Sequence, residues 1–166
     1  MNLTLIRIIE VILNLTALVY VLLFIRMVVV RLRQSFKESI GFIIRISLAL
    51  LTILFILFNS SHENPFSRGI LKMILLQLPL FYISGEIGAW YIRRLGVVKR
   101  YGLSVLIGSG NFRLFLVLSP VMMNRTVMSV GYQTPYIAYI YILLAVLLGL
   151  GSMSLLLIQI VMEESR

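Results

Sequence analysis

Glu86 is a carboxylate in the stretch Leu78 to Tyr101, an apolar span that ends in the four cations Arg93, Arg94, Lys99 and Arg100. It is set among the small residues Ser84, Gly85, Gly88 and Ala89. An acid in a lipid-spanning helix is costly and normally faces protein or water, which makes Glu86 a candidate functional group. Arg26, Arg45 and Arg113 also fall within apolar runs, and Gln159 is the one strongly polar residue of the last run before Glu163. Three chemistries fit this set. One is a structural ion pair that fixes helix register. Another is an ion or proton path in which Glu86 titrates and Arg113 blocks leakage. The third is capture of an anionic lipid or a quinone headgroup by the arginines.

The remaining inventory is sparse. All six acids are glutamates, His62 is the single histidine, and there is no cysteine. Serine triads, two-metal sites and aspartate-dependent headgroup transfer need residues this chain lacks, so a non-catalytic role without cofactor or metal is expected. His62 lies in the Asn59–Arg68 stretch, rich in Asn, Ser and Pro, and reads as a solvated loop residue.

The elements that must position these groups follow from composition. Of 166 residues, 60% are hydrophobic and 13% charged, whereas a soluble domain carries roughly a quarter charged residues. The apolar runs predict an all-α transmembrane bundle forming a single domain, with spans at about 8–30, 40–58, 69–92, 102–123 and 136–162. The first span resembles a secretory leader in length, but its flank, Arg26 to Arg33, is too basic for translocation, so it is expected to be retained. Pro79 is expected to bend the third span. The run GLSVLIGSGNF at the start of the fourth predicts a kinked or discontinuous helix. Trp90 and Tyr91 read as an interfacial belt.

The net charge is +9. The cations cluster at span ends rather than on a polar face, which points to anionic headgroups and not to nucleic acid. Arg31, Arg33, Arg93, Arg94, Lys99 and Arg100 are the candidate headgroup residues, and with Lys37 and Arg166 they crowd one side of the membrane. Arg7, Arg68, Lys72 and Arg125 sit on the other. The bias places the crowded side in the cytoplasm or mitochondrial matrix, with the N-terminus outside. By helical rise, Arg26, Arg45 and Glu86 lie within about 6–10 Å of that side, and Arg113 about 15 Å from the start of its span. Glu86 is therefore expected to pair with Arg26, Arg45 or both, and to be reached by Arg113 only through a bend. Ser84 with Gly88 and Gly85 with Ala89 are small pairs four apart. Ala138, Ala145, Gly149 and Ser152 form a second small stripe, and both are expected to pack helices.

The run Asn111-Phe112-Arg113-Leu114-Phe115 resembles the Arg-Leu-Phe segment of the proton-channel subunit a of ATP synthases. That resemblance implies a mid-membrane arginine beside a rotor ring and a glutamine on the following span, the place of Gln159. The sequence departs where the family has an asparagine one turn after the arginine, since Val117 stands there. In length and span number the chain is also similar to subunit 6 of respiratory complex I, although Tyr82-Ile83-Ser84-Gly85 matches that family's Tyr-x-Gly-Gly pattern only loosely. The expected function is that of an integral subunit of a multi-subunit, energy-transducing membrane complex, with scaffold, lipid-sealing or ion-path roles. Such a chain belongs in the bacterial plasma membrane or the mitochondrial inner membrane, in contact with other transmembrane subunits. The competing expectation is an autonomous homo-oligomeric pore of the holin type.

Overall fold

Lipid offers no hydrogen bonds to backbone N–H and C=O groups, so apolar runs of this length are driven into helices that satisfy themselves. The computed structural model describes residues 3–34, 36–58, 65–122 and 135–165. Among these, five α-helices follow one another: α1 (Leu3–Leu32), α2 (Phe36–Phe58), α3 (Pro65–Tyr91), α4 (Val97–Met122) and α5 (Pro135–Glu164). All five are long and apolar enough to cross a membrane. The chain is a multi-pass helical membrane protein; His62 lies outside the described residues.

Helices α3 and α4 occupy the centre, each packing on the other four elements of the bundle. The largest contact joins α4 to α5 and the next α4 to α1, whereas α1 and α2 barely touch. Apolar side chains form two clusters. One holds Tyr20, Met27, Ile83, Ile87, Ile107 and Leu156, among others. The other is built on Met73, Leu76, Leu80, Phe115, Ala145 and Leu148.

Three local expectations are corrected. The fourth span begins at Val97, five residues before Gly102, because the connector from α3 is tight. A 3-10 turn, Ile92–Arg94, ends at extended Leu95 (φ −104°, ψ 145°). The Gly96 carbonyl then accepts from the Lys99 and Arg100 amides, and the Arg100 side chain donates to the Leu95 carbonyl at 2.9 Å. The Gly- and Ser-rich run of α4 is not a break. Among the described residues α4 is one continuous helix, and its glycines admit neighbours. A Cβ on Gly108 would lie 2.8 Å from the Gly149 carbonyl oxygen, and one on Gly149 3.1 Å from that of Gly108. A Cβ on Gly110 would lie 2.8 Å from that of Tyr20. Finally, Trp90 and Tyr91 are buried rather than belted at the surface, and the Tyr91 hydroxyl donates to the Leu23 carbonyl of α1. Pro79 sits inside a continuous α3.

The close crossing of α4 and α5 makes a direct prediction. Gly108→Leu forces the two backbones apart and should cost about 1–3 kcal/mol, read as a lowered unfolding midpoint by circular dichroism in detergent. Gly102→Ala, where a Cβ meets open space, should unfold at or slightly above the parent midpoint. Equal midpoints for all three proteins would remove the crossing from the account.

Candidate functional site

The polar groups of the bundle gather at three levels. At the end where α1 and α3 finish, the last turn of α1 carries Arg31 and α3 carries Glu86. Glu86 Oε2 accepts a hydrogen bond from Arg31 Nη1 at 3.1 Å. Its Oε1 accepts one from the Tyr82 hydroxyl, one turn earlier on α3, at 2.7 Å. Arg45 Nη2, on α2, stands 3.9 Å from the same oxygen. The Arg31 guanidinium also lies over the Phe42 ring, 4.3 Å from its centroid. One carboxylate thus ties α1 and α2, which hardly meet each other, to α3. Glu86 keeps only 15% of its side-chain surface exposed, whereas Arg45 keeps 58%, so the Arg31 contact is the better shielded of the two.

Arg45 is thus brought to Glu86, and so is Arg31, which the sequence marks only as a headgroup residue. Arg26 is exposed and reaches no carboxylate among the described residues. Arg113 goes elsewhere. Its Nε donates to Asn14 Oδ1 at 2.7 Å, and its Nη2 lies 3.4 Å from Glu10 Oε1, both on α1. The reason is the early start of α4: five more residues shift Arg113 about 7.5 Å toward the far side, beyond reach of Glu86.

Between these charged levels lies a buried neutral one. Asn111, Ser84 and Ser152 are fully or almost fully buried on α4, α3 and α5. The Asn111 amide donates to Ser84 Oγ at 2.5 Å and to Ser152 Oγ at 2.7 Å. Ser84 Oγ donates to the Leu80 carbonyl at 2.8 Å. Its lone pairs then serve Asn111 and the Tyr20 hydroxyl of α1, 3.3 Å away. Asn111 Oδ1 is buried with no hydrogen-bond partner. The sequence marks Ser84 and Ser152 as packing residues and Asn111 as part of a broken helix. The missed signal is that three separate spans each carry a small or amide side chain near mid-length.

Gln159 is not the partner of Arg113 that the subunit a resemblance implies. It faces Gly85 and Gly88 of α3, where a Cβ on Gly88 would strike its Oε1. Phe112 packs on Gly149, and Gln159 lies ten residues further along α5, about 15 Å toward the other side of the membrane. The α3 stripe thus packs on Leu155, Leu156 and Gln159, and the α5 stripe places buried Ala145 in the core and Gly149 against α4. Ala89 is exposed, and the side chain of Ala138 lies outside the described residues.

The remaining headgroup candidates line the same end as Glu86. Arg93 Nε lies 3.5 Å from Glu163 Oε1. Arg94 stacks on Trp90, 4.0 Å from the ring centroid. Arg33 and Lys99 are exposed and Arg100 is half-buried.

A double-mutant cycle on Arg31→Gln and Glu86→Gln should return a coupling energy of about 1–3 kcal/mol, the range of a charge-assisted hydrogen bond. The Arg45→Gln and Glu86→Gln cycle should return about 0.5 kcal/mol or less, because one partner is largely solvent- or headgroup-exposed. Unfolding in detergent supplies both, and a larger coupling for Arg45 would reverse the assignment.

No family model, curated protein or solved structure matches the chain, so the likeness to ATP synthase subunit a rests on Asn111 to Phe115 alone.

Proposed function

We propose that this chain is a non-catalytic integral subunit of a multi-subunit complex in an energy-transducing inner membrane, bacterial or mitochondrial. There it serves as a scaffold and lipid seal. The observation that carries this reading is how its intramembrane polar groups are spent. Glu86, Arg113 and Asn111 each tie one helix of the chain to another, while Arg26 and Arg45 remain exposed on α1 and α2. A cation on the outer face of a spanning helix is costly unless it snorkels to phosphate or meets an acid on a neighbouring protein. Only 11% of the residues in the membrane-crossing stretch of α1 are buried within the chain, against 39% for α3 and for α4. Such a helix has surface to give to a partner subunit.

A second reading has its own observation. Glu10, Asn14 and Arg113, then Asn111, Ser84 and Tyr20, then Glu86 form three polar levels that follow one another through the bundle, the arrangement an ion or proton path needs.

The test is purification through a C-terminal tag in mild detergent, with mass spectrometry of the native particle. Fixed-stoichiometry recovery of larger transmembrane subunits is the expected result. A lone homo-oligomer would overturn it in favour of an autonomous pore. In reconstituted bilayers, a proton flux lost in both Glu86→Gln and Asn111→Leu would establish the path, and no flux from the parent protein would exclude it.

A further inference from the structure

A cavity of about 390 Å³ opens beside the Glu86 level, walled by Arg31 from α1, Gln34 from the α1–α2 connector, Ser39 from α2, Trp90 from the end of α3, and Arg93 and Arg94 from the turn after it. Its size falls within the range of small-ligand sites. Its charge is one-sided. Three guanidiniums face it, and the carboxylates that balance them lie outside the wall: Glu86 holds Arg31, and Glu163 holds Arg93. Arg94 meets no carboxylate among the described residues. It is held instead by the face of Trp90 and by donating one N–H to the Trp90 carbonyl at 3.1 Å. Stacking fixes the plane of a guanidinium while leaving its other N–H groups free to donate.

Trp90 belongs to the same wall and is 92% buried, so the ring that carries Arg94 is itself fixed. The location narrows the ligand. These residues come from the last turn of α1, its connector and the turn after α3, at the rim of the bundle where lipid phosphates lie. Basic pockets between spans at this depth suit anionic headgroups.

We propose that this cavity binds the phosphate group of an anionic lipid from the adjacent leaflet. Arg94 and Arg31 are its principal donors, with Gln34 at the rim available to the headgroup beyond the phosphate. The site is independent of the subunit reading, because a lone chain would bind the same lipid.

Trp90 is the single tryptophan, so the site carries its own reporter. Titration of the full chain in neutral detergent with dihexanoyl phosphatidylglycerol should give a saturable change in tryptophan fluorescence. Dihexanoyl phosphatidylcholine should bind about tenfold more weakly or not at all. Arg94→Gln leaves the Glu86 and Glu163 pairs in place and should weaken phosphatidylglycerol about tenfold, the loss expected for one charge-assisted hydrogen bond. Arg94→Lys should fall between, and Arg7→Gln, an equal charge change at the opposite end of the bundle, should bind as the parent does. Three results would overturn the proposal: equal binding of the two lipids, equal losses in Arg94→Gln and Arg7→Gln, or saturation by inorganic phosphate at the same concentration as the lipid.

Discussion

The hydrogen bonds from Asn111 to Ser84 and Ser152 decide the register of the central helices. An amide NH2 has two donors, and in a dry interior both must be met or the group is expensive. Here the two acceptors come from two different helices. On α4 the residues one turn to either side are Ile107 and Phe115, on α3 they are Leu80 and Ile87, and on α5 they are Leu148 and Leu156. All six are buried and apolar. A slip of one turn in any of the three helices would put the amide against hydrocarbon. Interhelical hydrogen bonds in membranes average well under 1 kcal/mol each, so this layer contributes more to uniqueness than to stability. The stability comes from the close packing that the layer places in register, with Gly108 and Gly149 back to back on one side of it.

Helix α1 depends on the same logic in a different form. Its apolar residues run all round it and few of its side chains are buried, so hydrophobic burial alone would not tell it which face to present. Polar ties along its length do so: Glu10 and Asn14 to Arg113, Tyr20 to Ser84, the Leu23 carbonyl to Tyr91, and Arg31 to Glu86. The acid near one end meets a cation of α4, and the cation near the other meets an acid of α3. Reversing or sliding α1 would part both charges from their partners at once, which is a stronger constraint than any one contact. The ends of the helix are held by charge and its middle by tyrosine hydroxyls.

This division explains what was legible in the sequence. The number of helices and their approximate limits follow from apolar length, because lipid permits little else. The partners do not. In a soluble helix the polar face marks the outside, whereas here both the lipid face and the packed face are apolar, and the pattern that would reveal the inward side is absent. Glu86 reads as an acid near the end of α3, and depth alone points equally to Arg26 and Arg45, of which only Arg45 reaches it. Its closer partner Arg31 was hidden because a terminal arginine reads as a headgroup residue. The Gly–Ser run of α4 misled for a related reason. Glycine weakens a helix in water, but in lipid the backbone must stay bonded, so the residue's small size outweighs its flexibility and it marks a crossing instead of a break.

The basic end of the bundle shows how one set of residues meets several demands. Helices α1 and α3 both finish there, and their C-termini carry partial negative charge, which cations in the last turns offset. Arg31, Arg93 and Arg94 sit at those positions. The positive-inside bias of membrane insertion places a second demand on cations that crowd one end of a bundle. Neither demand requires that the guanidiniums converge, and helix ends could equally splay their arginines into water. Convergence follows from Glu86, which draws Arg31 inward across Phe42, and from Trp90, whose buried ring holds Arg94 in place. The carboxylate that locks the helices therefore also shapes the cationic wall. Glu86 is buried enough to hold Arg31 but is one acid between two arginines, so cations outnumber acids at this level.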